Sequence, residues 1–399
     1  MPLVGDFSLR NVCISYSMHS PGEFLSGDSM TADIYGYNEF LLGFSRLTHV
    51  RPIESRDQEL WSRAPRRTTG LVLQLASFNM FHQQFHMVAA WSALHSYADA
   101  AVSGMHDGST RGFAVVPILS PQVARAAEKR VRLLPWHGPA WEITVRAFHD
   151  ARPADELAKA YARLFDTGMC FDQLHFGLGG LSPFSIVPQA VEHGNGWRRA
   201  VMRSSARSLP SPPLPSSTVP SGVLLVVRRG LTRVFVNEDE VYRALSEKTP
   251  EGRVRRVVME EFTLSQQIHL VAAHTVVIGA HGQALVLGIF LPASDTQRAA
   301  LIEVQPQNSG TNWRKIFSDM MSPRSIRYIQ FRATLAGERL QTRSECGSES
   351  KARTTGCCSS VVPLMCNISV RANVLAHCAR NAVLWTRNLS MAPPHRTWE

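Results

Sequence analysis

Short apolar runs alternate with amphipathic stretches along the second half of the chain. The runs predict strands over 223–227, 256–259, 275–278 and 300–304. Helices are predicted between them: one that begins after Asn237, and two over 263–272 and 283–290. Asn237 is expected to cap the first helix, whose first turn is acidic, as the helix dipole favours. Such alternation is typical of a parallel α/β sheet.

The first half has a more mixed pattern. Apolar runs predict strands over 70–75 and 113–119, and apolar residues at helical spacing predict helices over 79–101 and 153–165. The fold class expected for the whole chain is therefore α/β.

Composition divides the chain into four parts. Residues 204–221 are rich in Pro and Ser and predict a linker. They separate an N-terminal α/β domain, 1–203, from a second α/β domain, 222–336. Residues 337–399 hold five of the seven cysteines, and no aromatic residue occurs between Arg332 and Leu384. This tail is expected to be poorly ordered.

The bulk composition narrows the class of protein. A hydrophobic content of 44% with 19% charged residues is typical of a soluble globular protein. The net charge of +10 favours polyanions, nucleotide phosphates or anionic membrane surfaces. Its basic residues do not form a stripe with interleaved aromatics, which argues against a nucleic-acid partner. The N-terminal sequence has no signal-peptide pattern, and the absence of a long apolar run predicts no transmembrane helix.

The candidate binding residues lie at the predicted carboxyl ends of the strands, where parallel sheets bind ligands. His281 and Gly282 follow the third strand, and either bind an anion or form an ordinary turn with a satisfied histidine. Arg229 and Arg233 follow the first strand and either clamp a diphosphate or form a solvated basic segment. Glu303 lies on the last strand, where it could hold a ribose hydroxyl or pair with an arginine.

Taken in order, these residues resemble glycosyltransferase family 61. The similarity is most specific over 223–306 and weaker from residue 11, and it includes an N-x-x-H segment, Asn79 to His82. Animal members of this family are the EGF-domain-specific O-GlcNAc transferase and the protein O-mannose β-1,4-N-acetylglucosaminyltransferase; plant members transfer xylose or arabinose. The matching residues of the second half are Arg229, Arg233, Asn237, Glu238, Gln267, Ala272, His281, Gly282, Leu285, Phe290, Leu291, Pro292 and Glu303.

The resemblance implies a GT-B-like architecture, with two Rossmann-like domains facing a cleft, and an inverting reaction in the endoplasmic reticulum or Golgi lumen. It implies a UDP-sugar donor, with N-acetylglucosamine the first choice and xylose the second, a glycoprotein or glycan acceptor, and no permanently bound cofactor. Asn79, Arg229, Arg233, His281, Gly282 and Glu303 would then bind the donor.

Two further expectations concern a metal ion and the general base. No DxD motif occurs, so no metal ligand is predicted. A general base must take the acceptor proton, and His82 or Glu260 could do so, although His82 could pack among phenylalanines and Glu260 could lie on a solvated loop.

The sequence also departs from the family pattern. The HGQAL segment exchanges the two middle residues of the usual motif, and His86 stands where many members carry Asp. A non-catalytic nucleotide-sugar- or glycan-binding relative is therefore the alternative function.

Overall fold

The computed structural model of the chain describes fewer residues than the sequence contains. They are 6–17, 20–27, 31–38, 43–64, 66–75, 113–119, 169–177, 195–202, 205, 222–229, 233–249, 253–294, 296–306, 314–321, 324–336, 367–388 and 390–398. The chain forms two compact units, Met1–Ser204 and Ser205–Glu399.

The first unit contains a mixed seven-stranded sheet in the order β3-β4-β2-β1-β7-β5-β6. Its strands are β1 Asp6–Ser17, β2 Ser20–Ser26, β3 Ala32–Asn38, β4 Gly43–Pro52, β5 Arg66–Leu75, β6 Phe113–Leu119 and β7 Met169–Gly177. Helix α1 covers Gln58–Arg63, and a further helical segment covers 195–202.

This sheet differs from the Rossmann-like first domain that the resemblance implies. β5 runs parallel to β6 and β7, but the pairs β1–β2, β1–β7 and β3–β4 are antiparallel. The strand predicted over 113–119 is confirmed, and the one predicted from residue 70 begins at Arg66. The helices predicted over 79–101 and 153–165, which include Asn79 and His82, lie outside the described residues.

A disulfide joins β1 to β7 in this sheet. Cys13 and Cys170 are direct cross-strand partners, and both are buried. They are 157 residues apart in sequence, so no spacing rule could have paired them.

The second unit is the parallel α/β sheet that the alternation predicts. Five parallel strands follow the order β12-β11-β10-β8-β9, with two short strands at the β12 side. The strands are β8 Val223–Val227, β9 Val254–Val258, β10 Val276–Ala280, β11 Ala299–Pro306, β12 Ile326–Leu335, β13 Ile368–Ser369 and β14 Thr397–Trp398. The helices are α2 Glu238–Lys248, α3 Leu264–Ala272, α4 Arg314–Met321, α5 Ala372–Arg387 and a 3-10 helix, Gln283–Phe290.

Strand order within this sheet reverses at one place. In chain order the five parallel strands lie as 2-1-3-4-5, so connections leave in opposite directions from β8 and β10. Doubly wound sheets bind ligands outside the carboxyl ends of the strands at such a point. The fold thus predicts a ligand site at the carboxyl ends of β8 and β10.

The predicted disorder of the tail is wrong for residues 367–388 and 390–398. Helix α5 packs on the same face of the sheet as α2, and nine of its residues are buried. Leu375 and Val383 are 0% exposed and lie in one cluster with Leu225 and Ile302. The apolar face of α5 therefore belongs to the core of the second unit. Residues 337–366 lie outside the described part of the chain.

Asn237 connects this tail to the body of the unit. It occupies the N-cap position of α2, as predicted, but its side chain makes no capping hydrogen bond. Its amide instead donates to the carbonyl of Val370 over 2.7 Å, and its Oδ1 accepts from the N–H of Val370 over 3.0 Å. The tail segment is thereby held to the start of α2.

Candidate functional site

His281 lies at the carboxyl end of β10, on the predicted strand-to-helix turn. Its Nδ1 bonds to Oε1 of Glu303, and the hydroxyl of Tyr328 donates to Oε2 of the same carboxylate over 2.5 Å. Phe317 of α4 meets the imidazole edge to face, with 5.7 Å between ring centroids. The imidazole is thus held in one orientation by a carboxylate, a hydroxyl behind it and an aromatic ring.

Glu303 is the buried member of this group. Its side chain is 0% exposed, whereas that of His281 is 12% exposed. Glu303 pairs with Gly279 in the β10–β11 register, and its sequence neighbours Ile302 and Val304 point into the core on the opposite face of the sheet. It engages a histidine and a tyrosine rather than an arginine, and both of its oxygens are occupied.

The contacts of Glu303 have a chemical consequence for His281. A carboxylate at Nδ1 accepts the proton of that nitrogen and so fixes the tautomer of a neutral ring. The opposite nitrogen, Nε2, is then the atom through which this ring can act on a ligand.

Arg233 lies beside Gly282. A Cβ built on Gly282 would lie 3.6 Å from Nη1 of Arg233 and 3.6 Å from the carbonyl of Ala280. Arg233 has a φ of 61°, a left-handed backbone conformation that is uncommon for a residue with a side chain. The guanidinium, the imidazole segment and the start of the 3-10 helix therefore meet at one turn.

The backbone of Gly282 is extended, with φ 173° and ψ 170°. The distances to a Cβ are those of ordinary van der Waals contact. Neither conformation nor packing within the described chain thus requires glycine at this position. Close approach of a ligand remains a reason for it.

Arg229 follows β8 and is paired with Glu238 at the start of α2. Its Nη1 and Nη2 lie 2.5 and 3.1 Å from the two carboxylate oxygens, and its side chain is 57% exposed. The hydrogen bond to Glu238 raises the pKa of Arg229 above its usual range, with further charge from Glu261 and Asp239. Such an exposed bidentate pair contributes roughly 1 kcal/mol or less to stability.

Glu260 is the described candidate for the general base. It lies in the turn after β9, the edge strand, and its side chain is exposed. β8 separates β9 from β10, so the structure places Glu260 apart from the His281 turn. Asn79 and His82 lie outside the described residues.

Tyr328 and Phe317 complete the site and were not predicted. Tyr328 precedes Ile329, a core residue of the opposite face, so alternation places the tyrosine on the same face as Glu303. Only the β11–β12 register brings its hydroxyl within reach of the carboxylate. A single sequence does not reveal that register.

Neither a metal cluster nor a membrane span occurs in the described part of the chain. No group of three or more His, Cys, Asp and Glu side chains there could hold a metal ion. Metal independence stays a prediction. The helices of the described residues are too short or too polar to cross a bilayer.

Comparison with known proteins indicates which family this chain is similar to. A family model described as glycosyltransferase 61 matches residues 183–297, which include Arg229, Arg233 and His281. Over 114 residues the chain is 33% identical to an α-1,3-arabinosyltransferase, XAT3, of Oryza sativa subsp. japonica. Both findings support glycosyltransferase family 61.

The extent of the similarity is limited. It covers 27% of this chain and 18% of the rice protein, so the chain spans under a fifth of that relative's length. The matched segment contains the β8 and β10 turns, whereas Glu303 and Tyr328 lie beyond its end. The resemblance to glycosyltransferase family 61 is thus supported, whereas a specific similarity to the animal O-GlcNAc transferase members is not shown.

Proposed function

We propose that this protein is an inverting glycosyltransferase that moves a sugar from a UDP-sugar to a hydroxyl of a glycoprotein or glycan. One observation carries the proposal: His281, oriented by the buried Glu303, lies with Gly282 and Arg233 at the point where strand order reverses. Doubly wound sheets bind nucleotides at this place. The family match over the same turns supports the transfer of a sugar as the reaction.

The reaction makes one bond and breaks one. The acceptor oxygen attacks C1 of the sugar while the bond from C1 to the diphosphate oxygen breaks, and that electron pair leaves on UDP. The acceptor hydroxyl gives its proton to a general base, for which His82 is the candidate. Charge that grows on UDP is what the enzyme must stabilise to accelerate the step.

Each donor of the His281 turn has a role in this charge stabilisation. Arg233 supplies a planar fork of N–H groups for the phosphate oxygens. The imidazolium of His281, held through Nδ1 by Glu303, donates from Nε2 to the leaving oxygen. The start of the 3-10 helix at Gly282 adds backbone N–H groups, whose partial positive charge also favours a phosphate.

Glu303 acts through His281 and is a positioning residue. A side chain that is 0% exposed, with both oxygens engaged, does not reach a ribose hydroxyl. Arg229 is not the main diphosphate ligand in this proposal, because the carboxylate of Glu238 already occupies both of its terminal nitrogens.

The choice of sugar and of compartment extends the proposal. The rice relative is named an arabinosyltransferase, so a UDP-pentose is placed ahead of UDP-N-acetylglucosamine as donor. The disulfide between Cys13 and Cys170 suits an oxidising compartment. We propose the lumen of the endoplasmic reticulum or Golgi as its compartment.

Direct binding of UDP tests the site. We expect His281→Ala and Arg233→Ala each to weaken UDP binding at least tenfold in isothermal titration calorimetry, while Arg380→Gln, on an exposed position of α5, leaves the affinity unchanged. Gly282→Ala is expected to fold normally and to bind UDP more weakly, because its methyl group occupies the ligand side of the turn. Unchanged affinity in all three site variants would show that UDP does not bind here.

Turnover separates an enzyme from a binding protein. UDP release is measured with UDP-xylose, UDP-arabinose and UDP-N-acetylglucosamine, with and without glycan and glycopeptide acceptors. Acceptor-dependent release with one donor supports transfer. Tight UDP binding with no release from any donor would identify the non-catalytic relative instead.

A further inference from the structure

The segment that carries Arg233 is hydrogen-bonded to residues 367–370, here called the tail strap. The N–H of Ile368 donates to the carbonyl of Val234, and the carbonyl of Ile368 accepts from the N–H of Val236, each over 3.0 Å. The chain that follows Arg233 is therefore joined to the tail through its backbone.

Asn367, the first residue of the tail strap, holds the peptide unit directly after Arg233. Its Oδ1 accepts from the N–H of Val234 over 3.0 Å. That N–H belongs to the peptide plane between Arg233 and Val234, so its direction depends on the backbone conformation of Arg233. Arg233 has a φ of 61°, and a left-handed conformation in a non-glycine residue persists only where the surrounding structure determines it. The bonds of Val234 to the tail strap supply that determination.

The tail strap is itself held from its other edge and by the core. Its central strand, β13, pairs with the carboxyl end of β12, where the hydroxyl of Thr334 also donates to the carbonyl of Ser369 over 3.0 Å. Ile368 and Val370 are 1% and 3% exposed and lie in the core cluster with α2 and α5. The strap therefore has the support that it needs to hold the Arg233 segment in place.

The guanidinium of Arg233 lies at the proposed diphosphate site. Its Nη1 is 3.6 Å from a Cβ built on Gly282, in the turn that carries His281. A change in the backbone conformation of Arg233 would swing this long side chain away from the turn. Misplacement of a binding group by about 1 Å can cost a factor of about 100 in rate, so the conformation of this one residue matters for the site.

We propose that the tail strap positions Arg233 for the diphosphate of the sugar donor, with Asn367 as the positioning residue. This inference rests on the proposed function, because it concerns the same site. Asn367 acts through the Arg233–Val234 peptide, which it holds so that the guanidinium is oriented before UDP binds. Such preorganisation raises affinity because less conformational freedom is lost on binding. The tail then contributes to the donor site as well as to the core.

Amide hydrogen exchange of the ligand-free full chain tests the strap without any nucleotide. Mass spectrometry with residue resolution should find slow exchange at Val234 and Val236 in the wild type, because both N–H groups are bonded to the strap. Asn367→Ala should accelerate exchange at Val234 by about tenfold or more. Rapid exchange at both residues in the wild type would show that the strap does not hold this segment and would overturn the proposal, whether or not the variants fold.

Isothermal titration calorimetry with UDP tests the positioning, at a temperature well below the unfolding midpoint of each variant. Asn367→Ala should weaken UDP binding about fivefold, the equivalent of one hydrogen bond. Asn367→Asp keeps an accepting oxygen and should bind UDP more tightly than Asn367→Ala. Thr334→Val, the matched control, removes a hydrogen bond from the other edge of the strap and should leave the affinity unchanged. Equal losses in Thr334→Val and Asn367→Ala would indicate a general loosening of the strap and overturn the role of Asn367.

A double-mutant cycle shows whether Asn367 acts through Arg233. In an Arg233→Ala background, Asn367→Ala should weaken UDP binding further by less than about twofold, because the side chain that it positions is gone. Fully additive losses would refute the positioning role. The outcomes also separate this inference from the proposed function. Failure of UDP to bind the wild type would overturn both, whereas affinity lost in Arg233→Ala but fully kept in Asn367→Ala would overturn the positioning alone.

Discussion

The tail helix α5 should be required for the stability of the second unit. Leu375 is 0% exposed and lies in the core cluster with strands β8 and β11. Leu→Ala substitutions at such buried sites cost about 2–5 kcal/mol, through lost transfer free energy and the cavity that remains. A unit of this size loses roughly 2–4 °C in midpoint per kcal/mol, so Leu375→Ala should lower the midpoint by about 4–20 °C.

Calorimetric unfolding of the full chain provides the measurement. Leu225→Ala, in β8 and in the same cluster, identifies the transition of the second unit, and Leu375→Ala should shift that same transition. Arg380→Ala, on the exposed side of α5, should change the free energy of unfolding by no more than about 0.5 kcal/mol. If Leu375→Ala behaves like Arg380→Ala, the helix does not pack in the core, and the original expectation of a poorly ordered tail is correct.

Three further outcomes follow from individual side chains. Burial raises the pKa of the Cys378 thiol to about 12, so peptide mapping after alkylation at pH 8 should find Cys378 labelled only in denatured protein. Burial lowers the pKa of His274, whose Nδ1 donates to the Leu270 carbonyl. The contribution of the neutral His274 ring to the free energy of unfolding is therefore complete above pH 6.5 and is lost as the pH falls below 6.5. His274→Asn should reduce the fall in stability over that pH range, as measured by urea unfolding. Expression in a secretory host should give a glycan on Asn388, which is exposed, and none on Asn367, which is half-buried and bonds to the N–H of Val234 in the body of the unit; peptide mass spectrometry checks both.

The parallel sheet of the second unit was predictable because its central strands β8, β10 and β11 are buried on both faces. A strand covered on both sides reads as a continuous apolar run, and β8 matched its predicted bounds at 223–227. The third predicted helix proved to be a 3-10 helix over the same residues, 283–290. Local composition predicts where a helix lies better than it predicts whether the helix is α or 3-10.

The tail could not be predicted from local pattern. The buried face of its helix α5 consists mainly of Ala, Cys, Leu and Val, and the small side chains among them suit close packing against α2. Asn367 and Asn237 hold it by hydrogen bonds to partners 133 positions away. Contacts of that separation leave no periodic signal in the segment itself. The disulfide of the first unit was missed for the same reason.

Glu303 and Tyr328 offer the sharpest test of how the site works. Tyr328 donates to the carboxylate of Glu303, yet substitutions of the two residues should affect different quantities. Glu303→Gln keeps the shape of the side chain but replaces the carboxylate that orients the imidazole of His281 by a neutral amide. Changing the acid behind a catalytic histidine to its amide lowers turnover by roughly 10⁴-fold in serine proteases, so a loss in kcat of about 10²–10⁴-fold is expected, with little loss of stability.

Tyr328→Phe should show the opposite balance. Glu303 keeps its bond to His281, but Oε2 loses its donor in a place that water does not reach. A buried acceptor left without a partner costs about 1–3 kcal/mol of stability, and kcat should fall less than tenfold. UDP release under saturating donor gives kcat, and urea unfolding gives stability. If both variants lost stability and kcat in proportion, Glu303 would serve to hold the sheet together rather than to position His281, and the imidazole would need another reason to be at this turn.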